Sequence, residues 1–129
     1  MKKKILVVDD EPDVVDIVKV TLESEGYKVF PATGGQQALE IALREPLDMA
    51  ILDVAMPGMD GFELCRQLKE NESTKHMPVL FLTVKEALAY RLTGLFLGAY
   101  TYLTKPFDSE KLLEKVKLCF SKGIERNFE

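Results

Sequence analysis

The sequence is poor in the features that define several large classes of protein. Its 129 residues include two cysteines, Cys65 and Cys119, which are too few and too far apart for a metal-binding motif. No apolar run approaches the roughly 20 residues of a membrane-spanning helix. The apolar segment Ile5–Val8 is also too short for the core of a signal peptide. We therefore expect a cytoplasmic protein with buried, reduced thiols and no membrane contact.

Basic character and glycine-rich nucleotide motifs are missing as well. The net charge is −4, so direct nucleic-acid binding is not expected. No Gly-x-Gly-x-x-Gly follows the first predicted strand, which argues against a dinucleotide-binding domain. The length fits a single domain. We assign this domain to residues 1–122 and interpret 123–129 as a C-terminal tail or the start of a linker.

Short apolar segments alternate with amphipathic ones along the chain. Five segments have the pattern of buried strands: Lys4–Val8, Lys28–Ala32, Met49–Asp53, Pro78–Leu82 and Ala99–Leu103. Helices are predicted from Pro12 to about Glu25, around Ala38–Ala42, from about Asp60 to Asn71, over Lys85–Leu97, and from Asp108 or Ser109 to Phe120. This alternation indicates an α/β fold, a doubly wound five-stranded parallel sheet with helices on both faces. Right-handed crossover connections allow few strand orders, and one common order is 2-1-3-4-5, which gives a flavodoxin-like (βα)5 fold.

Polar residues follow four of the five predicted strands. Asp9 and Asp10 come after the first, Asp53 ends the third, Thr83 ends the fourth and Lys105 follows the fifth. In the order 2-1-3-4-5 these positions meet at one edge of the sheet, where open α/β sheets bind ligands. The sequence therefore predicts a crevice that contains three carboxylates, a hydroxyl and an ammonium group.

Each of these residues also has a more ordinary interpretation. The acidic pair and Thr83 could cap helices, Lys105 could be a surface residue, and Asp53 could be a polar strand terminus.

The combination of these residues in one crevice has a chemical consequence. Clustered carboxylates raise one another's pKa unless a cation holds them, and Mg²⁺ suits such oxygen ligands. Asp53 is then the natural nucleophile for an aspartyl phosphate, and Lys105 and Thr83 could hold phosphoryl oxygens.

The sequence resembles the receiver domain of two-component response regulators, the chemotaxis-regulator-like superfamily. The likeness covers residues 3 to about 121 and rests on Ile5–Glu11, Asp53, Met56–Gly61, Thr83, Gly98-Ala99 and Tyr102–Phe107. It implies a phosphorylation-activated signalling switch rather than an enzyme. By this resemblance, Asp53 accepts a phosphoryl group from a sensor histidine kinase or a histidine phosphotransfer protein.

The resemblance also implies roles for the surrounding residues. The Mg²⁺ ligands would be Asp9 (through water), Asp10, Asp53 and the backbone carbonyl of Ala55. Lys105 would pair with the phosphoryl group, and its bond to Pro106 would be cis. Thr83 would move to the phosphoryl oxygen, and Tyr102 would turn inward behind it.

The signal is expected to leave through the face formed by the predicted fourth helix, the fifth strand and the last helix. The resemblance, aligned without gaps, implies that the outward residues of this face are Leu88, Arg91, Leu95 and Tyr102. Tyr100-Thr101 replaces the acid pair of one large DNA-binding subfamily, so we expect a different output partner or a hydrophobic self-dimer. Ala55 and Lys85 flank the site without supplying a base, which predicts slow self-dephosphorylation.

Two rival functions remain at this point. A Mg²⁺-dependent phosphatase with an aspartyl nucleophile generally needs an acid two residues further on, where this chain has Ala55. A degenerate receiver that serves only for docking would not need the complete set Asp9, Asp10, Asp53, Thr83 and Lys105.

Overall fold

The computed structural model describes residues 2–84 and 101–122. Strands and helices alternate within these ranges: β1 (Lys4–Val8), α1 (Pro12–Glu23), β2 (Lys28–Ala32), α2 (Gly35–Arg44), β3 (Met49–Asp53), α3 (Gly61–Glu70), β4 (Val79–Val84), β5 (Thr101–Lys105) and a C-terminal helix (Ser109–Lys122). The predicted fourth helix, Lys85–Leu97, and the segment 123–129 lie outside the described residues.

The five strands form one parallel sheet in the order β2-β1-β3-β4-β5. The chain starts in the interior of the sheet, moves to one edge at β2, and returns past β1 to build the other half. The change of direction lies between β1 and β3, and a ligand crevice is expected at this point. The predicted fold class and strand order are confirmed.

Two layers of apolar side chains cover the faces of the sheet. On one face, α2 and α3 pack over a buried cluster that includes Ala38, Leu64 and Phe81. On the other, α1 and the C-terminal helix pack over a second cluster that includes Val18 and Leu112. The central strand β3 is buried along its whole length, Asp53 included. The site residues at the ends of the strands therefore stand on a rigid, closely packed base.

The helix termini follow local sequence signals. Pro12 occupies the first turn of α1, where no intrahelical N–H is required. The side chain of Asp60 accepts a hydrogen bond from the Glu63 N–H at 2.9 Å and caps α3. Asp108 does the same for the C-terminal helix through the Lys111 N–H at 2.8 Å. Of the two predicted caps for that helix, Asp108 is therefore the one that forms.

The structure departs from the predictions for β5, α1 and α3. β5 extends to Lys105 rather than ending at Leu103, because the pairing of Val84 with Lys105 continues the ladder until Pro106 removes the next donor. Helix α1 ends at Glu23, two residues early. The apolar pattern of α3 predicts that Phe62 is buried together with Cys65 and Leu68, but Phe62 is only partly buried and Leu64 is fully buried instead. Among the described helices, none has the length and apolar content needed to cross a lipid bilayer.

Candidate functional site

The predicted site residues come together at the carboxyl edge of the sheet. Asp53 and Lys105 are the last residues of β3 and β5, and Thr83 lies one residue before the end of β4. Asp9 and Asp10 follow β1 directly. Because β1, β3, β4 and β5 are consecutive neighbours in the sheet, their ends open onto one crevice. The structure thus brings together all five residues that the sequence singled out.

The Lys105 ammonium group lies between two buried carboxylates. Its Nζ is 2.7 Å from Asp9 Oδ2 and 3.2 Å from Asp53 Oδ1. The Glu11 carboxylate lies further out, with Oε1 at 3.7 Å from the same nitrogen. The Lys105 side chain is only 15% exposed, so the alternative interpretation of Lys105 as a surface residue is wrong. Its bond to Pro106 is cis, as predicted.

Asp9 is held from two sides. One carboxylate oxygen pairs with Lys105, and Oδ1 accepts a hydrogen bond from the Glu11 N–H at 2.9 Å. The residue is completely buried, whereas its neighbour Asp10 is exposed. Asp9 does not cap α1, because its Oδ1 accepts from the N–H of Glu11, which precedes the helix, and its other oxygen belongs to the crevice.

Three carboxylates converge closely enough to hold a cation. One oxygen from each of Asp9, Asp10 and Asp53 lies within 4.8 Å of the others. Oxygen donors of this kind, two of them on buried residues, match the ligand preference of a hard divalent ion such as Mg²⁺. The residues present therefore fit the metal site that is typical of receiver domains. The backbone of Ala55 lies just beyond β3 in an exposed loop position.

The electrostatics of Asp53 reflect this crowding of acids. Burial, followed by the charge of Asp9, raises the pKa of Asp53 to about 7, and the attraction of Lys105 offsets only part of the increase. Asp53 and Asp9 share the ammonium group of Lys105. Without a further cation, the crevice contains more negative charge than Lys105 can balance.

Lys105 responds in the opposite way. Partial burial by itself would lower the pKa of its ammonium group. The hydrogen bond to Asp9 and the negative charges of Asp53 and Asp9 outweigh this, so the pKa of Lys105 lies above its ordinary value. The ammonium group therefore stays charged at neutral pH and is available to an incoming anion.

The two predicted switch residues lie on neighbouring strands. Thr83 is buried, and its hydroxyl donates a hydrogen bond to the Val84 carbonyl at 3.3 Å. Tyr102 is half-buried and packs against the cluster beneath α2 and α3. The remaining predicted output residues, Leu88, Arg91 and Leu95, lie outside the described residues, as does Lys85.

Sequence reasoning missed two contributions to the site. Glu11 adds a third carboxylate near Lys105, after those of Asp9 and Asp53, although nothing in its local pattern predicts this. Gly61 lies directly against the acceptor strand, because a Cβ at this position would be 2.2 Å from the backbone oxygen of Asp53. The Gly61 N–H also donates to the Val54 carbonyl at 2.9 Å. The start of α3 is thereby fixed against the end of β3.

An open apolar groove of about 630 Å³ adjoins the crevice on the α1 side. It is lined by Glu11, Val14, Ile17, Val84, Lys105, Pro106 and Phe107. Ile17 is 58% exposed, and the next turn of α1 carries Val20 at 69%. Single exposed apolar residues are common on protein surfaces, whereas a contiguous apolar patch is typical of a surface that contacts another molecule.

Comparison with known proteins agrees with the geometry. Residues 5–117 match the family model described as the response regulator receiver domain. A putative response regulator from Chloroflexus aurantiacus J-10-fl is 33% identical, with a TM-score of 0.89 over 94% of this chain and 99% of that one. The chemotaxis protein CheY4 of Vibrio cholerae is 35% identical, with a TM-score of 0.87 over 91% and 98%.

A third similar structure is also that of a receiver domain. The CheY-like response regulator receiver domain protein of Methanospirillum hungatei JF-1 is 30% identical, with a TM-score of 0.89 over 98% of this chain and 99% of that one. The family match, the fold and the acidic crevice agree on a phosphorylation-switch signalling module rather than a true enzyme, which argues against the phosphatase alternative. The chain belongs to the response regulator receiver domain family.

Proposed function

We propose that Asp53 is the phosphoryl acceptor of this receiver domain and that Lys105, Thr83 and Tyr102 respond to its phosphorylation. The observation that carries the proposal is the position of the Lys105 ammonium group, 3.2 Å from the Asp53 carboxylate at the crevice. A phosphoryl group on Asp53 would add negative charge within reach of this buried cation. Lys105 can exchange its ion pair with the carboxylate for one with the phosphoryl oxygens.

The transfer needs little covalent chemistry from the protein. An Asp53 oxygen forms a bond to phosphorus while the bond between phosphorus and the donor nitrogen breaks, and the imidazole of the donor histidine leaves with that electron pair. The product is an aspartyl phosphate. The chain contributes position and charge: the strand end fixes the nucleophile, and Lys105 balances charge on the transferred group.

Mg²⁺ is the cation we propose for the carboxylate cluster. Asp10, Asp53 and the backbone carbonyl of Ala55 would hold it directly, and Asp9 would hold a bound water. When present, it supplies positive charge that offsets the repulsion among the acids and the incoming phosphoryl oxygens. The raised pKa of Asp53 supports this assignment, because burial and the charge of Asp9 disfavour the ionised carboxylate and Lys105 offsets only part of that effect.

The response is proposed to pass from Thr83 to Tyr102. Register pairs Thr83 with Thr104 and Phe81 with Tyr102 on adjacent strands, so a shift of the threonine hydroxyl toward a phosphoryl oxygen opens space next to the tyrosine ring. Phosphorylation would then favour a state with a different outer face. We propose that Leu88, Arg91 and Leu95 belong to that face, which would bind an output partner or a second copy of the chain.

The donor is proposed to be a sensor histidine kinase or a histidine phosphotransfer protein. The exposed apolar groove supports a protein donor, because Ile17 and Phe107 line a surface that leads directly to Lys105. A partner that covers this groove would place its phosphohistidine at the crevice and exclude water from the transfer.

The acceptor can be tested with a small-molecule donor. Incubation with acetyl phosphate and Mg²⁺ should add one phosphate by intact mass, Asp53→Asn should abolish the addition, and EDTA should prevent it. Asp16→Asn, an isosteric change at an exposed acid of α1, is the matched control and should label normally. Equal labelling of Asp53→Asn and the parent would refute the assignment.

A further inference from the structure

Tyr102 and the C-terminal helix belong to opposite faces of the sheet. Tyr102 packs in the same cluster as Phe81, with which it is paired in register. Its neighbour Leu103 points to the other face, into the cluster that contains Leu112 and Val116 of the C-terminal helix. Because successive side chains of a strand alternate between faces, residues of that helix are not the expected neighbours of the Tyr102 ring.

One side chain of the helix nevertheless reaches the ring. The Lys115 Nζ lies over the face of Tyr102, 5.9 Å from the ring centroid. β5 is the edge strand of the sheet, so the long lysine side chain can pass around it from one face to the other. This distance falls within the range in which an ammonium group is attracted to an aromatic ring.

The surroundings of Lys115 favour the ring as its partner. Within residues 2–84 and 101–122, no carboxylate lies at ion-pair distance from its ammonium group. Lys115 is half-buried, whereas Lys111 and Lys117 of the same helix are exposed. The position of Lys115 along the helix, rather than the general basic character of the helix, creates the contact.

We propose that Lys115 is a positioning residue that holds the Tyr102 ring in its unphosphorylated position and couples the C-terminal helix to the switch. The proposal rests on the proposed role of Tyr102. When the ring turns inward behind Thr83, it moves away from the ammonium group, so the contact stabilises the resting state alone. The loss of this contact is therefore part of the free-energy difference between the two states.

The magnitude is that of a partly exposed cation–π contact. Removal of the ammonium group should change the ratio of the two ring positions roughly two- to fivefold in favour of the inward one. An arginine at the same position keeps a cation over the ring and should preserve the resting ratio. Phosphorylation of Asp53 itself should remain possible, because Lys115 does not belong to the crevice.

The experiment follows the Tyr102 ring by NMR in the intact chain with ¹³C-labelled tyrosine. The sequence contains four tyrosines, and Tyr102→Phe identifies the resonance of interest. The chemical shift of the Tyr102 ring resonance is measured in the parent before and after treatment with acetyl phosphate and Mg²⁺, which gives the shifts of the resting and the switched state. The shifts of Lys115→Met, Lys115→Arg and the control Lys117→Met, all without phosphate, are then compared with these two values.

Lys115→Met is expected to lie part of the way toward the phosphorylated position, while Lys115→Arg and Lys117→Met coincide with the parent. If phosphorylation moves the resonance in the parent but Lys115→Met coincides with the unphosphorylated parent, the role of Lys115 is refuted and the proposed switch stands. If intact mass shows a phosphorylated parent whose Tyr102 resonance has not moved, the role of Tyr102 fails, and the role of Lys115 with it.

Discussion

Replacement of the proposed acceptor, Asp53→Asn, should make the metal-free protein more stable at alkaline pH. The wild-type carboxylate stands beside Asp9 in a buried position, and its pKa is raised from 3.8 to about 7. Asparagine has nearly the shape of the protonated acid and carries no charge. The substitution therefore removes the cost of ionising a carboxylate at this place while keeping its packing.

The sign follows from proton binding in the two states. Between pH 3.8 and about 7, the folded protein keeps a proton at Asp53 that the unfolded chain has released. The unfolding free energy of the parent therefore falls as pH rises through this window, and the loss is complete above it. The rise in the pKa of Asp53 from 3.8 to about 7 corresponds to a loss of about 4 kcal/mol in unfolding free energy, at 1.36 kcal/mol per pKa unit. Solvent screening at the rim of the crevice reduces the expected gain to about 2 kcal/mol at pH 8.

Urea unfolding of both proteins in EDTA, followed by circular dichroism, measures this difference. We expect it to be close to zero at pH 4 and to grow to about 2 kcal/mol at pH 8. Asp16→Asn should follow the parent at both pH values. Excess Mg²⁺ at pH 8 should stabilise the parent more than Asp53→Asn, because the variant lacks one of the charged ligands and binds the ion more weakly. A variant that is no more stable than the parent at pH 8, or a difference that does not depend on pH, would refute the reasoning.

Three further predictions concern the packing of Gly61, the lifetime of the phosphorylated protein and the output face. Gly61→Ala should destabilise the protein by about 2 kcal/mol and impair labelling by acetyl phosphate, because the added Cβ displaces the backbone of the acceptor strand; Gly34→Ala, where a Cβ meets nothing within 4 Å, is the control, and equal effects in urea unfolding would contradict this reasoning. Ala55→Asn combined with Lys85→Glu should shorten the lifetime of the phosphorylated protein, measured as loss of the added mass over time, because polar groups can then place the attacking water; an unchanged lifetime would argue against it. Leu95→Glu should leave labelling intact while weakening phosphate-dependent association in size-exclusion chromatography, and equal association would place the output face elsewhere.

The sequence predicted the composition of the crevice because its geometry follows from topology. Parallel strands end at a common edge, and the order of five strands places β1 beside β3. Polar residues at the ends of apolar segments, such as Asp9 and Asp53, therefore had to meet once the strands were recognised. This inference needs no knowledge of side-chain conformation, and it holds for Lys105 even though the predicted end of β5 was two residues too early.

What the sequence could not supply were contacts that depend on conformation in three dimensions. The approach of Glu11 to Lys105 depends on the rotamers of two long side chains. The closeness of Gly61 to Asp53 depends on how the intervening loop folds back, which the turn residues Pro57 and Gly58 indicate only in general terms. In α3, Phe62 and Leu64 lie about 200° apart around the helix axis, and only the packing of the helix on the sheet shows that Leu64 is the more buried of the two.

The alternation of side chains along β5 limits which changes of chain length the domain can accept. Leu103 and Lys105 share one face of this strand, and Tyr102 lies on the other. A slip of one residue against β4 would exchange the two faces, turning the lysine away from Asp9 and the tyrosine out of its cluster. A single insertion or deletion within β5 would therefore disturb both the position of Lys105 in the crevice and the packing of the Tyr102 ring. Variation in length among natural and engineered relatives of this chain should accordingly collect in the loops, where it leaves the pairing of Val84 with Lys105 intact.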